Sequence, residues 1–212
     1  MKKTITVRGT GKVSASPDKV IFKMTLKTSH ADYRKCMKLA DTRSDLLKSA
    51  LMKKNFSEED IKTADFNIKQ DYHWGKNNIK IIDEWYCSHV LKVEFPFDIV
   101  HLREILDAVT SCGIQFEISL DFTVEDSEAL EEKMLENAAK DARKKAELLC
   151  IASGAKLGEL LSINYSWGEI NIISHTEYEG EFDDCLPPGA TPGIVPEEIK
   201  VKDSATFIWA IE

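Results

Sequence analysis

The longest regular pattern in the chain runs from Asp126 to Gly154, where apolar side chains recur every three or four positions. This spacing predicts an amphipathic helix with charged residues on its other face. Asp126 can accept hydrogen bonds from the first free N–H groups, and Gly154 can take the left-handed conformation that ends a helix. Three alanines would let the helix lie close against a sheet; the apolar face consists of Leu130, Met134, Ala138, Ala142, Ala146 and Leu149.

Strands and two further helices are predicted around this helix. Helical spacing at 31–54 and 98–113 indicates one more long helix and one short helix. Pairs of strands separated by single helices indicate an α+β protein with mostly antiparallel sheets. The predicted order is therefore ββ-α-ββ-α-β-α-ββ, with strands at 3–8, 19–28, 61–72, 79–95, 114–124, 159–167 and 200–211.

Two local features refine these boundaries. Asn55 follows the first long helix and is predicted to end it in the left-handed region, since asparagine tolerates that conformation. Asp83 and Glu84 interrupt the alternation of the strand at 79–95, which predicts an irregularity there.

The first strand is followed by two glycines, Gly9 and Gly11, and then by Pro17 and Asp18. A Gly-x-Gly sequence is also found in phosphate-binding loops, but neither a helix start nor Gly-Lys-Ser/Thr follows it here. We therefore interpret the glycines as part of a turn that joins the first two strands.

One long stretch, 170–198, shows no regular pattern. It is acidic and rich in proline and glycine, and its prolines cannot sustain a helix or a β-ladder. Solvated mobility is one interpretation. Contact with a partner or another copy of the chain is the other, because the stretch carries many apolar groups: Ile172, Ile173, Tyr178, Phe182, Leu186, Ile194 and Val195.

Composition narrows the class of protein. The chain has 212 residues, 43% of them hydrophobic, and a formal charge of −8. An acidic chain is a poor match for nucleic acid, which binds clustered Lys and Arg. No apolar segment is long enough to span a membrane, and no leader peptide is visible. Five scattered cysteines without a CxxC pair predict reduced thiols, and hence a cytoplasmic location.

No arrangement of side chains predicts catalysis. The five histidines are scattered, so no nucleophile, base and carboxylate set stands out. Cys87 and His89 share one strand face and could hold part of a metal site, but Trp85, Leu91, Val93 and Phe95 extend that face, which favours packing as the use of both. We therefore predict no catalytic residues, no metal and no cofactor.

Two segments resemble the SIMPL-domain (YggE-like) family. The first is ITVRGTGKVSASPDKVIFKMTL, with Gly9, Gly11, Pro17 and Asp18 at the family's positions. The second is AAKDARKKAELLCIASGAKLGELLSINYSW, which resembles the family's Ala-rich helix and following strand through Ala142, Ala146, Gly154 and Gly158.

The resemblance implies little chemistry. Family members assemble into homo-oligomers, are often exported, and have been linked to oxidative-stress defence, and the family has no catalytic residue set to carry over. It implies a single SIMPL-like domain over 1–212, with two subdomains divided near residue 96 as an alternative.

Three hypotheses about function follow. The first is a non-enzymatic, self-associating protein that contacts other copies through the 170–198 stretch or a strand edge. The second is a module that binds a protein or ligand with the same stretch. The third is a thiol-based redox protein, which requires an exposed thiol of lowered pKa.

Overall fold

A computed structural model of the chain describes residues 3–74, 76, 80–166, 168, 170–174, 176, 178–182 and 194–212. It confirms the α+β class and the predicted order of helices and strands, with one additional short strand. The elements are β1 Thr4–Ala15, β2 Lys19–His30, α1 Tyr33–Met52, β3 Lys62–Trp74, β4 Lys80–Pro96, α2 Ile99–Thr110, β5 Phe116–Thr123, α3 Ser127–Ser153, β6 Leu157–Asn164, β7 Tyr178–Phe182 and β8 Ile199–Ile211.

The chain divides into two units, with boundaries at 17/18, 122/123, 175/176 and 196/197. Unit 1 contains β1, α3, β6 and β8, and unit 2 contains the other elements. Each unit therefore combines segments that lie far apart in the sequence.

Unit 1 is a three-stranded antiparallel sheet in the order β1-β8-β6 with α3 on one face. Successive side chains of each strand point to opposite faces of the sheet, so the apolar side chains on one face pack against α3. Two hydrophobic clusters fill the space between them. The first includes Val7, Ala142, Ala146, Ala205, Phe207 and Trp209, and the second includes Val124, Met134, Ile172, Ile199 and Val201.

Gly9 and Gly11 lie inside β1, so the prediction of a glycine turn was wrong. Both lie directly under α3. A Cβ atom at Gly9 would come within 2.0 Å of the Ala138 carbonyl oxygen, and one at Gly11 within 1.8 Å of the Met134 carbonyl oxygen. Because no side chain fits there, the two glycines allow helix and strand backbones to touch.

The ends of α3 agree with the sequence pattern. The Asp126 carboxylate accepts a hydrogen bond from the N–H of Ala129 at 2.9 Å, and Gly154 ends the helix with φ of 72°. The predicted apolar face is buried from Met134 to Ala146, but Leu149 is half exposed and Cys150 is buried in its place.

Side chains of α3 also cover the outer edge of β1. Asn137 donates to the Lys12 carbonyl at 3.1 Å, the Thr10 N–H donates to Asp141 at 2.8 Å, and Lys145 donates to the Arg8 carbonyl at 3.4 Å. The three side chains are four residues apart and therefore share one stripe of the helix. They satisfy backbone groups that an edge strand would otherwise leave open.

Unit 2 is a five-stranded sheet in the order β3-β4-β2-β5-β7, with α1 and α2 packed in its core. The Asp98 carboxylate caps α2 by accepting from the Val100 N–H at 3.0 Å, and Asn55 follows α1 with the predicted positive φ, 68°. The core includes Phe22, Met24, Leu47, Leu91, Leu102, Ile105, Leu120 and Phe122.

Two irregular places in unit 2 bear on the predictions. The β3–β4 register shifts between Asp71 and Tyr72, leaving Asp83 without a partner in β3 as the interrupted alternation predicted. The stretch 170–198 was predicted to be irregular throughout, but β7 lies within it and pairs antiparallel with β5. Pairing with a distant strand gave order that local sequence did not reveal.

Candidate functional site

A group of exposed large apolar side chains in unit 2 lies on the β3–β4 hairpin. We call residues 66–74 and 81–86 the arm. β3 is the outermost strand of its sheet and has β4 as its strand neighbour. Trp74 is 59% exposed, and five further large side chains of the arm are between 43% and 46% exposed: Phe66, Tyr72, Ile81, Ile82 and Tyr86.

The apolar side chains that β3 contributes to the arm lie on one face of the sheet, because side chains alternate along a strand. Phe66, Ile68, Tyr72 and Trp74 are separated by even numbers of residues, so their side chains lie on the same side of the sheet. The Tyr72 and Trp74 rings contact edge to face, with centroids 5.8 Å apart. The register of β3 is continuous from Asp65 to Asp71, and β3 itself has no extra residue as far as Trp74.

Charged residues occupy the opposite face of the arm. Lys69, Asp71 and His73 alternate with the apolar row. His73 Nδ1 lies 2.7 Å from Asp83 Oδ1, across the two strands of the hairpin. The Asp71 carboxylate accepts from the Tyr72 N–H at 2.9 Å. Along β3 the arm thus has an apolar face and a face of mixed charge, and the register places Ile81 and Tyr86 of β4 on the charged face, opposite His73 and Lys69.

The predicted contact residues of the 170–198 stretch differ in burial and in their position in the fold. Ile172 is 7% exposed and Ile194 is 8% exposed, and both pack in hydrophobic cores. Their contact with a partner stays a prediction. Ile173 is half-buried, whereas Val195 is 87% exposed. Tyr178 and Phe182 lie in β7 opposite Leu120 and Phe116, and Leu186 lies outside the described residues.

A second exposed apolar surface lies in unit 1, near the end of α3. Leu148, Leu149 and Ile151 are all more than half exposed, and Ile151 reaches 79%. The charged residues of the same helix form ion pairs along its outer face, such as Arg143 with Glu147 at 2.9 Å. This surface offers a matched comparison for the arm.

The described thiols do not meet the requirement for a reactive cysteine. Burial raises the pKa of the Cys36 thiol and that of the Cys87 thiol, which pack together with Ala40 between α1 and β4. Burial also raises the pKa of Cys112, although nearby Lys53 opposes it. A raised pKa lowers the thiolate fraction at neutral pH. Cys150 is buried, and Cys185 lies outside the described residues.

Within the described part of the chain, no further ligand accompanies the candidate half-site of Cys87 and His89. No group of three or more potential metal ligands occurs among the residues that the structure describes. His89 Nε2 lies 3.0 Å from Thr63 Oγ1, and its ring meets that of Phe66 at 5.1 Å. Burial lowers the pKa of His89. These contacts explain both residues through packing and hydrogen bonding.

A family model described as SIMPL, protein of unknown function (DUF541), matches residues 5–209. The chain belongs to the SIMPL family. Gly9 and Gly11 under α3 and Gly154 at the end of α3 are among the residues that resemble the family's motifs. All three have the structural roles described above.

Two curated relatives are similar to this SIMPL chain. The 26 kDa periplasmic immunogenic protein of Brucella melitensis is 26% identical over 164 residues, and that of Brucella abortus is 25% identical over the same length. Each match covers 76% of this chain and 65% of the relative. In the part of this chain that the structure describes, no helix is long and apolar enough to cross a membrane.

Sequence reasoning missed the arm as an exposed surface. The strands at 61–72 and 79–95 were predicted, but their exposed aromatic residues were not singled out as a surface. Tyr72, Trp74, Ile81, Ile82 and Tyr86 lie close to the hairpin turn, and this concentration was the available signal.

Proposed function

We propose that this protein is non-enzymatic and that it self-associates through the edge of β3. The observation that supports this most directly is an outermost strand carrying a row of exposed large apolar side chains. Long apolar edge strands readily pair with another chain, and proteins that stay monomeric usually cover or interrupt them. Pairing two arms would bury the apolar row and extend the sheet.

The sequence of β3 suits antiparallel pairing with a second copy of itself. With Gln70 on the two-fold axis, residues whose numbers sum to 140 lie opposite each other. Lys69 then faces Asp71 of the second copy, Ile68 faces Tyr72, and Phe66 faces Trp74. Opposite charges and apolar pairs directly across two strands each stabilise the pairing. The two-fold symmetry forms every such contact twice.

Neighbouring registers are less favourable. An axis at Ile68 would place Asp65 opposite Asp71, and an axis at Asp71 would place that carboxylate opposite its own copy. Directly opposed like charges are destabilising. An axis at Asn67 pairs Lys69 with Asp65 but leaves Trp74 without a counterpart in β3. The axis at Gln70 alone retains both the charge pairs and the complete apolar row.

The experiment that tests self-association combines mass and cross-linking. The native mass is measured by light scattering after size exclusion over a range of concentrations. Gln70→Cys and Asn67→Cys variants are then treated with a short thiol cross-linker, with the unmodified chain as the control for its native cysteines. We expect a covalent dimer from Gln70→Cys and little from Asn67→Cys. A strictly monomeric protein would refute the proposal, and a dimer with the reverse cross-linking would refute only the register.

A pair of matched variants locates the contact. Tyr72→Ser with Trp74→Ser removes apolar groups from the arm, while Leu148→Ser with Ile151→Ser removes them from the end of α3. We expect the first variant to dissociate the assembly and the second to leave it intact. The opposite result would move the contact to unit 1.

The 170–198 stretch is a second candidate for contact, either with another copy or with a partner protein or ligand. The 87% exposure of Val195 favours it. The Val195→Ser variant should then lose a partner that the unmodified chain retains in a pull-down. An unchanged partner set and an unchanged mass would remove this stretch from consideration.

A reducing, cytoplasmic environment is part of the proposal, supported by free cysteines at positions 36, 87, 112 and 150. The curated relatives are called periplasmic, which describes those proteins. Cell fractionation with thiol labelling would distinguish the two compartments. A contribution to stress defence rests on the family resemblance, and survival of a deletion strain under peroxide would test it.

A further inference from the structure

The sheet of unit 1 has a solvent-facing side that α3 does not cover. Residues of β1 and β8 with even numbers point to that side, because the odd-numbered ones contact the helix. From Arg8 to Ser14 and from Lys200 to Thr206, these outward positions carry four basic residues, four hydroxyl groups and no carboxylate. The whole chain is acidic, with a formal charge of −8.

Three lysines of this face lie close together. Lys12 is directly opposite Lys202 in the β1–β8 register, and Lys200 is opposite Ser14. Opposed side chains have Cβ atoms about 5 Å apart and diagonal neighbours about 7–8 Å apart. An open cavity of about 480 Å³ is lined by Lys12, Val13, Ser14, Lys200, Val201 and Lys202.

Among the residues that the structure describes, no acidic side chain pairs with this cluster. Within the described part of the chain, none of the three lysines forms an ion pair, and Glu198, two residues before Lys200, is exposed without reaching it. Asp203 is turned to the other side, where it accepts from the Tyr165 hydroxyl at 2.7 Å. Arg8 donates to Ser204 Oγ and not to a carboxylate. Two like charges directly opposite each other destabilise a sheet, so an anion between them would be stabilising.

We propose that Lys12, Lys200 and Lys202 form a binding site for a compact, multiply charged phosphate anion in free solution. The register places the Cβ atoms of the three lysines within about 8 Å of one another, so their flexible side chains can direct three ammonium groups to the phosphate oxygens of one small ligand. An extended polyanion would also meet the negative charge of the remaining surface. The field of the cluster is screened within about 8 Å at physiological salt, which favours a ligand of that size.

Inorganic triphosphate is the probe, and its binding is measured by isothermal titration calorimetry at low salt. Lys12→Glu replaces the repulsive pair with an attractive one opposite Lys202. Lys38→Glu, at an exposed position of α1, changes the net charge equally and serves as the control. We expect at least about tenfold weaker binding for Lys12→Glu and less than about twofold for the control.

The melting temperature is a second measurement, and Lys12→Glu should not lower it even though the variant weakens binding. Without ligand, Lys12→Glu should melt at the same temperature as the unmodified protein or higher, because the new carboxylate would attract Lys202. Triphosphate should raise the melting temperature of the unmodified protein only. No binding by the unmodified protein, or equal weakening in both variants, would overturn the proposal. Binding to phosphatidylglycerol vesicles without binding to triphosphate would also overturn it, in favour of a membrane surface.

Discussion

The outer strands β1 of unit 1 and β3 of unit 2 differ in whether a helix covers their edge. In unit 1, Asn137, Asp141 and Lys145 of α3 hydrogen-bond to the outer edge of β1. In unit 2, β3 lies outermost and exposes a row of aromatic and aliphatic side chains instead. One edge is closed by the chain's own helix, and the other remains accessible to a second chain.

This difference shows that a helix can cover the edge of a strand only when the two backbones lie close together. The polar side chains of α3 reach β1 only because the helix backbone touches the strand at Gly9 and Gly11. β3 has no such glycine pair, and its alternate positions carry bulky side chains. The variants below test the closed edge and the open edge separately.

The largest effect is expected from Gly11→Ala. The added Cβ would lie 1.8 Å from the Met134 carbonyl oxygen, and backbone atoms cannot move aside without shifting α3. We expect a loss of about 3 kcal/mol in the free energy of unfolding, measured by chemical denaturation. Gly168→Ala is the control, since nothing lies within 4 Å of a Cβ at that position. Equal costs for the two variants would contradict the close approach.

A smaller effect is expected when the edge of β1 loses one acceptor. Asp141→Ala removes the carboxylate that binds the Thr10 N–H and should cost about 1.5 kcal/mol of unfolding free energy. Glu147→Ala, which removes only an exposed pairing with Arg143, should cost about 0.5 kcal/mol or less. Hydrogen exchange at Thr10 should rise in the first variant only. Unchanged exchange there would show that Asp141 does not protect the edge.

Variants at the edge of β3 should change the dissociation constant of the assembly and leave the free energy of unfolding unchanged. Gln70→Lys places two ammonium groups opposite each other on the proposed axis, which costs about 1 kcal/mol, or roughly a fivefold higher dissociation constant. Gln70→Ser removes the amide without adding charge and serves as the control. Light scattering over a dilution series gives both constants. If both variants dissociate equally, Gln70 is not on the axis.

The smallest effect concerns pH. The Lys145 ammonium and then the Thr10 N–H hold the pKa of Asp141 below its ordinary value. The ionised form therefore stabilises unit 1 above about pH 4, and this contribution is lost as the pH falls through the lowered value. We expect the difference in unfolding free energy between the unmodified protein and Asp141→Asn to shrink from pH 7 toward pH 3. A constant difference would mean that the charge of Asp141 has no role at this edge.

The sequence predicted elements whose signals are local. Asp126 and Gly154 marked the two ends of α3, and the interrupted alternation at Asp83 marked the register shift in the β3–β4 hairpin. Such features depend on a few neighbouring residues. Periodicity and cap chemistry are therefore sufficient to predict them.

Features that depend on distant partners were missed. Gly9 and Gly11 looked like turn residues because the helix they touch lies more than 120 residues further along the chain. β7 was not predicted because its order comes from pairing with β5. Strand order decides which edge is open, and no local pattern encodes it, so the arm was predicted as a hairpin without its exposure.

The pairing of β1 with β8 also has a consequence for biosynthesis. The two strands match along all of β1, and the hydrogen bond from Arg8 to Ser204 spans 196 residues of chain. A ribosome adds about 5–20 residues per second, so β1 emerges roughly ten seconds or more before β8 exists. β1 has no helix cover until α3 is made, and it has no sheet partner until β8 is made. Unit 1 is consequently completed after translation of β8, whereas β2–β5 of unit 2 are already available to pair while the chain is still being made.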